Sequence, residues 1–191
     1  YNNRLGTLAQ TDSLGNQIIF RTNIGDSRTN GVEMFVQGDF FLDYESSLSV
    51  FTSTSYMDAQ YHNAVIKSGN SNVDIEGNTV ESVPKLISRE GFTFNYSSLS
   101  FSALYSYTSE SYADAMNSVT PSATGAAGLV PSYQLLDLNL SVKLSNTISV
   151  RVNANNVLDE HYFTKRPQFY PGPGIWPSDG RTFSGTVSIR V

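Results

Sequence analysis

The sequence predicts an all-β chain, an antiparallel up-and-down transmembrane β-barrel segment of about eight strands. Three observations point there: strict alternation of apolar and polar residues, strands too long for a globular sheet, and connections that switch between tight turns and long loops. Alternation is clearest near the C-terminus. Leu136, Leu138, Leu140, Val142 and Leu144 interleave with Asp137, Asn139, Ser141 and Lys143, and Ile148, Val150, Val152 and Ala154 with Ser149, Arg151, Asn153 and Asn155. Successive strand side chains point to opposite faces, so each segment has one apolar and one polar or charged face. Such a sheet is the wall of either a soluble sandwich or a membrane barrel.

The remaining strands follow the same template in chain order. Residues 1–10 and 17–24 open the chain as strands. In residues 32–40, Val32, Met34, Val36 and Phe40 share a face opposite Glu33, Gln37 and Asp39. Residues 46–61 are rich in β-branched and aromatic side chains, although Phe51 and Met57 fall out of phase. Phe92, Phe94 and Tyr96 alternate with Thr93 and Asn95. Leu99, Phe101, Ala103, Tyr105 and Tyr107 alternate with Ser98, Ser100, Ser102, Ser106 and Thr108, with Leu104 breaking the polar set. Phe183, Val187, Ile189 and Val191 alternate with Ser184, Thr186, Ser188 and Arg190. A tilted membrane strand needs about ten residues, whereas globular strands run about five or six.

Connections at 41–46, 97–98 and 145–146 are tight, while 62–82, 109–131 and 158–179 are long and rich in Gly, Ser, Asn and Pro. Strict alternation of the two kinds places every tight turn at one end of the sheet and every long loop at the other. Outer-membrane barrels have this asymmetry; a Greek-key sandwich has no reason for it. Phe40, Phe41, Tyr44 and Tyr96 flank the tight-turn end, and Tyr56, Tyr61, Tyr105, Tyr107 and Tyr133 the long-loop end, as paired interfacial girdles would.

Composition excludes other classes. With 39% hydrophobic and 15% charged residues, no apolar run reaches the roughly 18 residues of a membrane helix. The net charge of -5 and the absence of Lys/Arg clusters speak against nucleic acid as a partner. Without Cys there is no disulfide or thiol chemistry. The chain opens on Tyr1 without Met or a signal pattern, which suggests a mature product or part of a longer chain.

Three stretches carry a family resemblance. Asn155-Asn156-Val157-Leu158-Asp159-Glu160-His161-Tyr162-Phe163 is similar to the Asn-x-x-Asp-x-x-Tyr signature that closes the penultimate strand of TonB-dependent outer-membrane receptors. Gly180-Arg181-Thr182-Phe183 then opens a last alternating strand, and residues 170–179 between them resemble the final extracellular loop of ferric-dicitrate or siderophore receptors. Upstream, Asn23-Ile24-Gly25-Asp26-Ser27-Arg28 followed by Gly31-Val32-Glu33 resembles the Asn-x-Gly-x-x-Arg-x-x-Gly-Val-Glu stretch of these barrels. The chain departs from the pattern at its end, Ile189-Arg190-Val191, where the family usually closes on an aromatic residue.

The resemblance implies a barrel of about twenty-two strands, of which residues 1–191 are the C-terminal part without the plug domain. It implies a bacterial outer-membrane location and import of a ferric chelate. The implied partners are the rest of the receptor, including the plug, periplasmic TonB, and outer-membrane lipid. Iron-citrate, another siderophore, haem, cobalamin and a glycan stay open as ligands. Two rivals remain: an autonomous eight-strand barrel, which requires the first and last strands to pair, and a soluble all-β binding module.

No G-x-S-x-G elbow, H-E-x-x-H pair or phosphate loop is present, so no enzyme and no cofactor are expected. His62 follows Asp58 by four residues and shares its strand face. Asp159, Glu160 and His161 invite a metal site, but they fall inside the barrel-closing signature, and no metal is expected. Ligand contacts are expected from Lys165, Arg166, Tyr170 and Trp176 in the last long loop, with His62. Guanidinium donors and aromatic rings suit an anionic, oxygen-rich chelate. The plainer alternative is that Arg166 and the Pro/Gly run stiffen their loop. Arg151 and Arg190 are expected on the polar, inward face.

Overall fold

The computed structural model describes residues 4–68, 71–168 and 172–190. Among these residues the chain is strand, turn and coil without helix, so no helix is long and apolar enough to cross a membrane. Eight strands build the main sheet: β1 (Arg4–Thr11), β2 (Gln17–Phe41), β3 (Ser46–His62), β6 (Leu86–Tyr96), β7 (Leu99–Thr108), β10 (Tyr133–Lys143), β11 (Ile148–Asn155) and β14 (Thr182–Ile189). Every neighbour is antiparallel and the order is β1-β2-β3-β6-β7-β10-β11-β14, as an up-and-down wall requires. The long connections carry three short hairpins: β4 (Val65–Ser68) with β5 (Ser71–Asp74), β8 (Ser111–Tyr112) with β9 (Leu129–Val130), and β12 (Phe163–Lys165) with β13 (Trp176–Pro177).

The sheet is open: β14 pairs with β11 and β1 with β2, not with each other. The pairing that an autonomous eight-strand barrel requires is therefore not made. The segments 17–24 and 32–40, separate in the sequence pattern, are one 25-residue strand. Gly25 (φ 139°) lets it continue past Ala64, whose Cα would lie 2.4 Å from any Cβ placed there. Residues 17–25 of β2 pair with β1 and residues 26–41 with β3. The first hairpin thus projects beyond the end of β3, its turn held by Asp12, whose Oδ1 accepts the N–H groups of Leu14 and Asn16 at 2.8 Å each. Among the described residues, 26–41 are paired on one side only.

Register confirms the two faces. Phe40, Leu48, Phe94, Phe101, Leu140 and Val152 form one row across six strands. On the opposite face, Asp39, Ser49, Thr93, Ser102, Asn139, Asn153 and Ser184 form another. The polar row is knitted by side chains: the Asn139 amide donates to Asn153 Oδ1, and Asn153 Nδ2 donates to Ser184 Oγ at 3.0 Å. The apolar row is exposed, Phe40 at 53%, Val152 at 48% and Leu140 at 38%. A sandwich buries such a face against a second sheet about 10 Å away. No second layer covers this one among the described residues; the geometry is that of a wall facing hydrocarbon.

The out-of-phase residues have a local cause. Phe51 and Leu104 stand on the polar face on either side of Gly91 in the same row. A Cβ on Gly91 would lie 2.4 Å from Phe51 Cε1, so the ring lies over the glycine. The Phe35 ring packs beside it, centroids 6.3 Å apart. Met57 likewise faces Gly31. The glycines leave room on the pleat that the large side chains fill.

The tight turns close with side-chain caps. Asp43 Oδ1 accepts the N–H groups of Glu45 and Ser46, each at 2.8 Å. The Ser46 hydroxyl first, then the Glu45 N–H, hold the Asp43 carboxyl below its usual range. Ser145 Oγ accepts the N–H groups of Thr147 at 3.2 Å and Ile148 at 3.1 Å.

Candidate functional site

The hydrophobic core lies at the long-loop end, outside the wall proper. Ile24, Ala59, Tyr61, Ala64, Ile66, Ile75 and Val80 bury together where the β4–β5 hairpin follows the end of β3, beside the Ile24 stretch of β2. Backbone bonds from Ile75 N–H to Ala64 O (2.9 Å) and Val80 N–H to Ala59 O (3.0 Å) fix that arrangement. The second long loop is then zipped to the first by an amide. Asn117 Oδ1 accepts the Thr79 N–H and Asn117 Nδ2 donates to Thr79 O, both at 2.7 Å. Asn78 Nδ2 donates to Ala115 O at 2.9 Å. Asp114 organises its own loop, accepting from Ser118 Oγ and the Met116 N–H at 3.0 Å each.

The third long loop turns on Asn156, which is 5% exposed. Its N–H donates to Asp137 Oδ1 at 2.8 Å, its Oδ1 accepts the Glu160 N–H at 2.9 Å, and its Nδ2 donates to Glu160 O at 3.0 Å. Asp159 Oδ1 accepts the Arg181 N–H at 3.1 Å, and the Arg181 guanidinium lies 3.8 Å from Asp159 Oδ2. Asn156 and Asp159 both take positive φ, 50° and 57°, a conformation that Asn and Asp tolerate. The Asp-Glu-His run thus serves loop closure. Among the described residues, no group of three or more His, Cys, Asp or Glu is arranged to hold a metal ion.

The residues expected to meet a ligand divide between exposed and braced positions. Lys165 on β12 faces Trp176 on β13 in register, and both are exposed, Trp176 at 52%. Arg166 turns inward: its Nε donates to Leu129 O and its Nη1 to Gly125 O, each at 3.0 Å. Its guanidinium carbon lies 4.8 Å from the centre of the Phe163 ring. Gly125 and Gly174 meet at the same junction, where a Cβ on Gly125 would lie 3.3 Å from Gly174 Cα. Arg166 therefore ties the third loop to the second, which is the stiffening role. Tyr170 lies outside the described residues. His62 belongs to the first loop, its Nδ1 2.7 Å from Glu76 Oε1. Asp58 instead faces Lys85 Nζ at 3.9 Å, so Asp58 and His62 have different partners.

Sequence reasoning missed Asn117, whose partners lie 38 residues away and leave no local signal. Asn156 was visible through its signature, though its part as a hub was not. Below the third loop an inner cleft is lined by Leu135, Asp137, Asn155, Tyr162, Asp179 and Thr182. Tyr162 there stacks on Tyr133 with centroids 4.4 Å apart.

An open, two-faced antiparallel wall with the 42–45, 97–98 and 144–147 turns at one end, and braced long loops beside the projecting 12–16 turn at the other, defines part of a large membrane β-barrel. Residues 1–157 match the family described as TonB dependent receptor-like, beta-barrel, and the chain belongs to that family. Among solved structures, the siderophore receptor PiuA from Acinetobacter baumannii is similar, with 23% identity and a TM-score of 0.67 over 88% of this chain and 22% of that one. The ferric citrate transporter FecA in its unliganded form is similar at 20% identity and a TM-score of 0.66, over 85% of this chain and 24% of FecA. BauA, the ferric preacinetobactin receptor from Acinetobacter baumannii, has 19% identity and a TM-score of 0.60, over 97% of this chain and 25% of BauA. The chain thus spans 22% to 25% of these three proteins. No curated protein matches it.

Proposed function

We propose that residues 1–191 are the C-terminal part of the barrel of an outer-membrane TonB-dependent receptor that imports a ferric chelate, of the iron-citrate or siderophore kind. The observation that carries this is the uncovered apolar face of an open eight-strand wall, in a chain of this family. The rest of the barrel supplies strands to pair with residues 26–41 of β2 and with β14, because unpaired backbone groups have no partner in hydrocarbon. A plug domain fills the lumen and periplasmic TonB relays the energy for uptake. The protein is a transporter and not an enzyme.

The ligand meets the long-loop end. Support comes from the exposed Lys165 and Trp176, held in place by the braced Arg166. Tyr170 and His62 complete the proposed contact set. The solved relatives include a siderophore receptor and a ferric citrate transporter, and an anionic chelate suits a lysine and an aromatic ring.

The test uses cells lacking the complete receptor, complemented with the receptor or its variants, and radioiron presented as citrate and as hydroxamate and catecholate siderophores. One of these chelates depends on the receptor for uptake. Lys165→Ala with Trp176→Ala weakens its binding about tenfold, the size of one lost charge-assisted contact, while the receptor still assembles. Equal uptake of every ferric chelate with and without the receptor contradicts the proposal.

A further inference from the structure

Three cations end the polar face at the tight-turn end of the last three strands. Lys143 on β10 shares a row with Ser149 and Ser188. Arg151 on β11 stands in the next row, between Ser141 and Thr186. Arg190 follows β14, its N–H donating to Thr147 O at 2.8 Å. All three are exposed, and none of their side chains has a hydrogen bond or ion pair among the described residues. Lys143 and Arg190 line one cleft between the 97–98 and 144–147 turns, together with Ser98, Ser149 and Ser188.

The surrounding charges make this cleft distinct. On the polar face of β10, β11 and β14 the one carboxylate is Asp137, which accepts the Asn156 N–H at the loop end. Between it and the cleft stand Asn139, Ser141, Asn153, Ser184 and Thr186, all uncharged. Asp39 is on β2, four strand spacings from β10, or about 19 Å at 4.8 Å per spacing; Glu45, in one turn with Asp43, stands nearer, its carbonyl accepting the Ser97 N–H at 2.8 Å. Asp39 therefore lies beyond a Debye length of about 8 Å in physiological salt, and Glu45 makes no ion pair with Lys143 or Arg190 among the described residues. Along the polar face of these three strands the charged residues run from Asp137 at the loop end to Arg151, Lys143 and Arg190 at the tight-turn end.

We propose that the cleft between Lys143 and Arg190 binds a small soluble polyanion, of the carboxylate or phosphate class, at the tight-turn mouth of the lumen. Two cations with no ion pair among the described residues, over three hydroxyls, match several anionic oxygens at once, the arrangement in which charge-assisted hydrogen bonds are strongest. This deepens the import function proposed above and rests on it: an anionic chelate leaving the lumen meets a weak station on its way out. Rings of Arg and Lys serve anion passage in this manner.

The test uses the complete receptor, with Ser98→Cys carrying an environment-sensitive fluorophore; this segment has no other Cys. Iron-free citrate is titrated at constant ionic strength, with glycerol as the uncharged control. The expected result is a saturable citrate response, equal in detergent and in phosphatidylcholine nanodiscs, and absent with glycerol. Lys143→Gln with Arg190→Gln weakens it about tenfold, and Arg190→Lys retains most of it. An unchanged response in the Gln pair overturns the site. A response that appears only with phosphatidylglycerol assigns the cleft to a lipid headgroup and overturns it too. Silence toward citrate, joined to protease exposure of an interior domain in Lys143→Glu with Arg190→Glu, assigns the cleft to an acidic segment and likewise overturns it. Citrate binding that persists when no ferric chelate is imported defeats the import reading and leaves the site standing.

Discussion

Asn156 and Asn117 each present an amide whose donor and acceptor meet the backbone carbonyl and N–H of one residue, Glu160 in the same loop at 3.0 and 2.9 Å for Asn156, and Thr79 in another loop at 2.7 Å twice for Asn117. A primary amide reproduces the pairing of one strand residue where no strand can run. Asn also accepts the left-handed backbone both positions need, φ 50° and 55°. Replacing Asn156 by Ala leaves the Glu160 N–H and carbonyl without their partner in a nearly closed site. The expected cost is about 1–3 kcal/mol, read as a lower temperature for loss of the compact form of the receptor in unheated gels. An unchanged transition contradicts the hub assignment. Arg166 shows how a side chain can be located correctly with two meanings open. Its place in the last loop was readable, but only the carbonyls of Gly125 and Leu129, about 40 residues upstream in a different loop, show that it braces.

At the scale of elements, period-two alternation located β10, β11 and β14 well, because one face is apolar along most of their length, with Gln134 and Gly185 as the exceptions. It failed where geometry rather than burial chooses the residue. Alternation leaves residues 25–31 between two strands, yet β2 runs through them, and Gly25 lets Ala64 approach. Phe51 and Leu104 looked like phase errors, yet Gly91 opens a space on the polar face that the Phe51 ring fills. Gly91→Val places carbon within contact of that ring and costs about 1–3 kcal/mol by overpacking. Adding Phe51→Ala relieves the clash, so the double variant in chemical unfolding is more stable than the sum of the single effects predicts. Strict additivity contradicts the ring-over-glycine packing.

For the whole molecule, alternation, strand length and loop asymmetry made the architecture readable before any coordinates. Two features were not. The unpaired side of the wall runs along β1 and continues along residues 26–41 of β2, because β1 pairs only with residues 17–25, above the end of β3. The buried cluster of Ile24, Tyr61, Ile75 and their neighbours assembles from three separated segments, none of which has a periodic pattern. Both depend on how far each strand extends, which alternation does not encode. Among the described residues no second layer covers the apolar face of the wall, the face that a membrane barrel turns to lipid.

Facing along β10 tests this most directly. Single cysteines at each position from 136 to 143 carry a nitroxide in the complete receptor in a lipid bilayer, and accessibility to oxygen and to a water-soluble nickel chelate is measured. Oxygen accessibility peaks at Leu138, Leu140 and Val142, and access to the nickel chelate or burial in protein marks Asn139, Ser141 and Lys143, with a period of two. Absence of that period, nickel access at Leu138, Leu140 and Val142, or oxygen maxima on the Asn139 face contradicts a lipid-facing barrel wall.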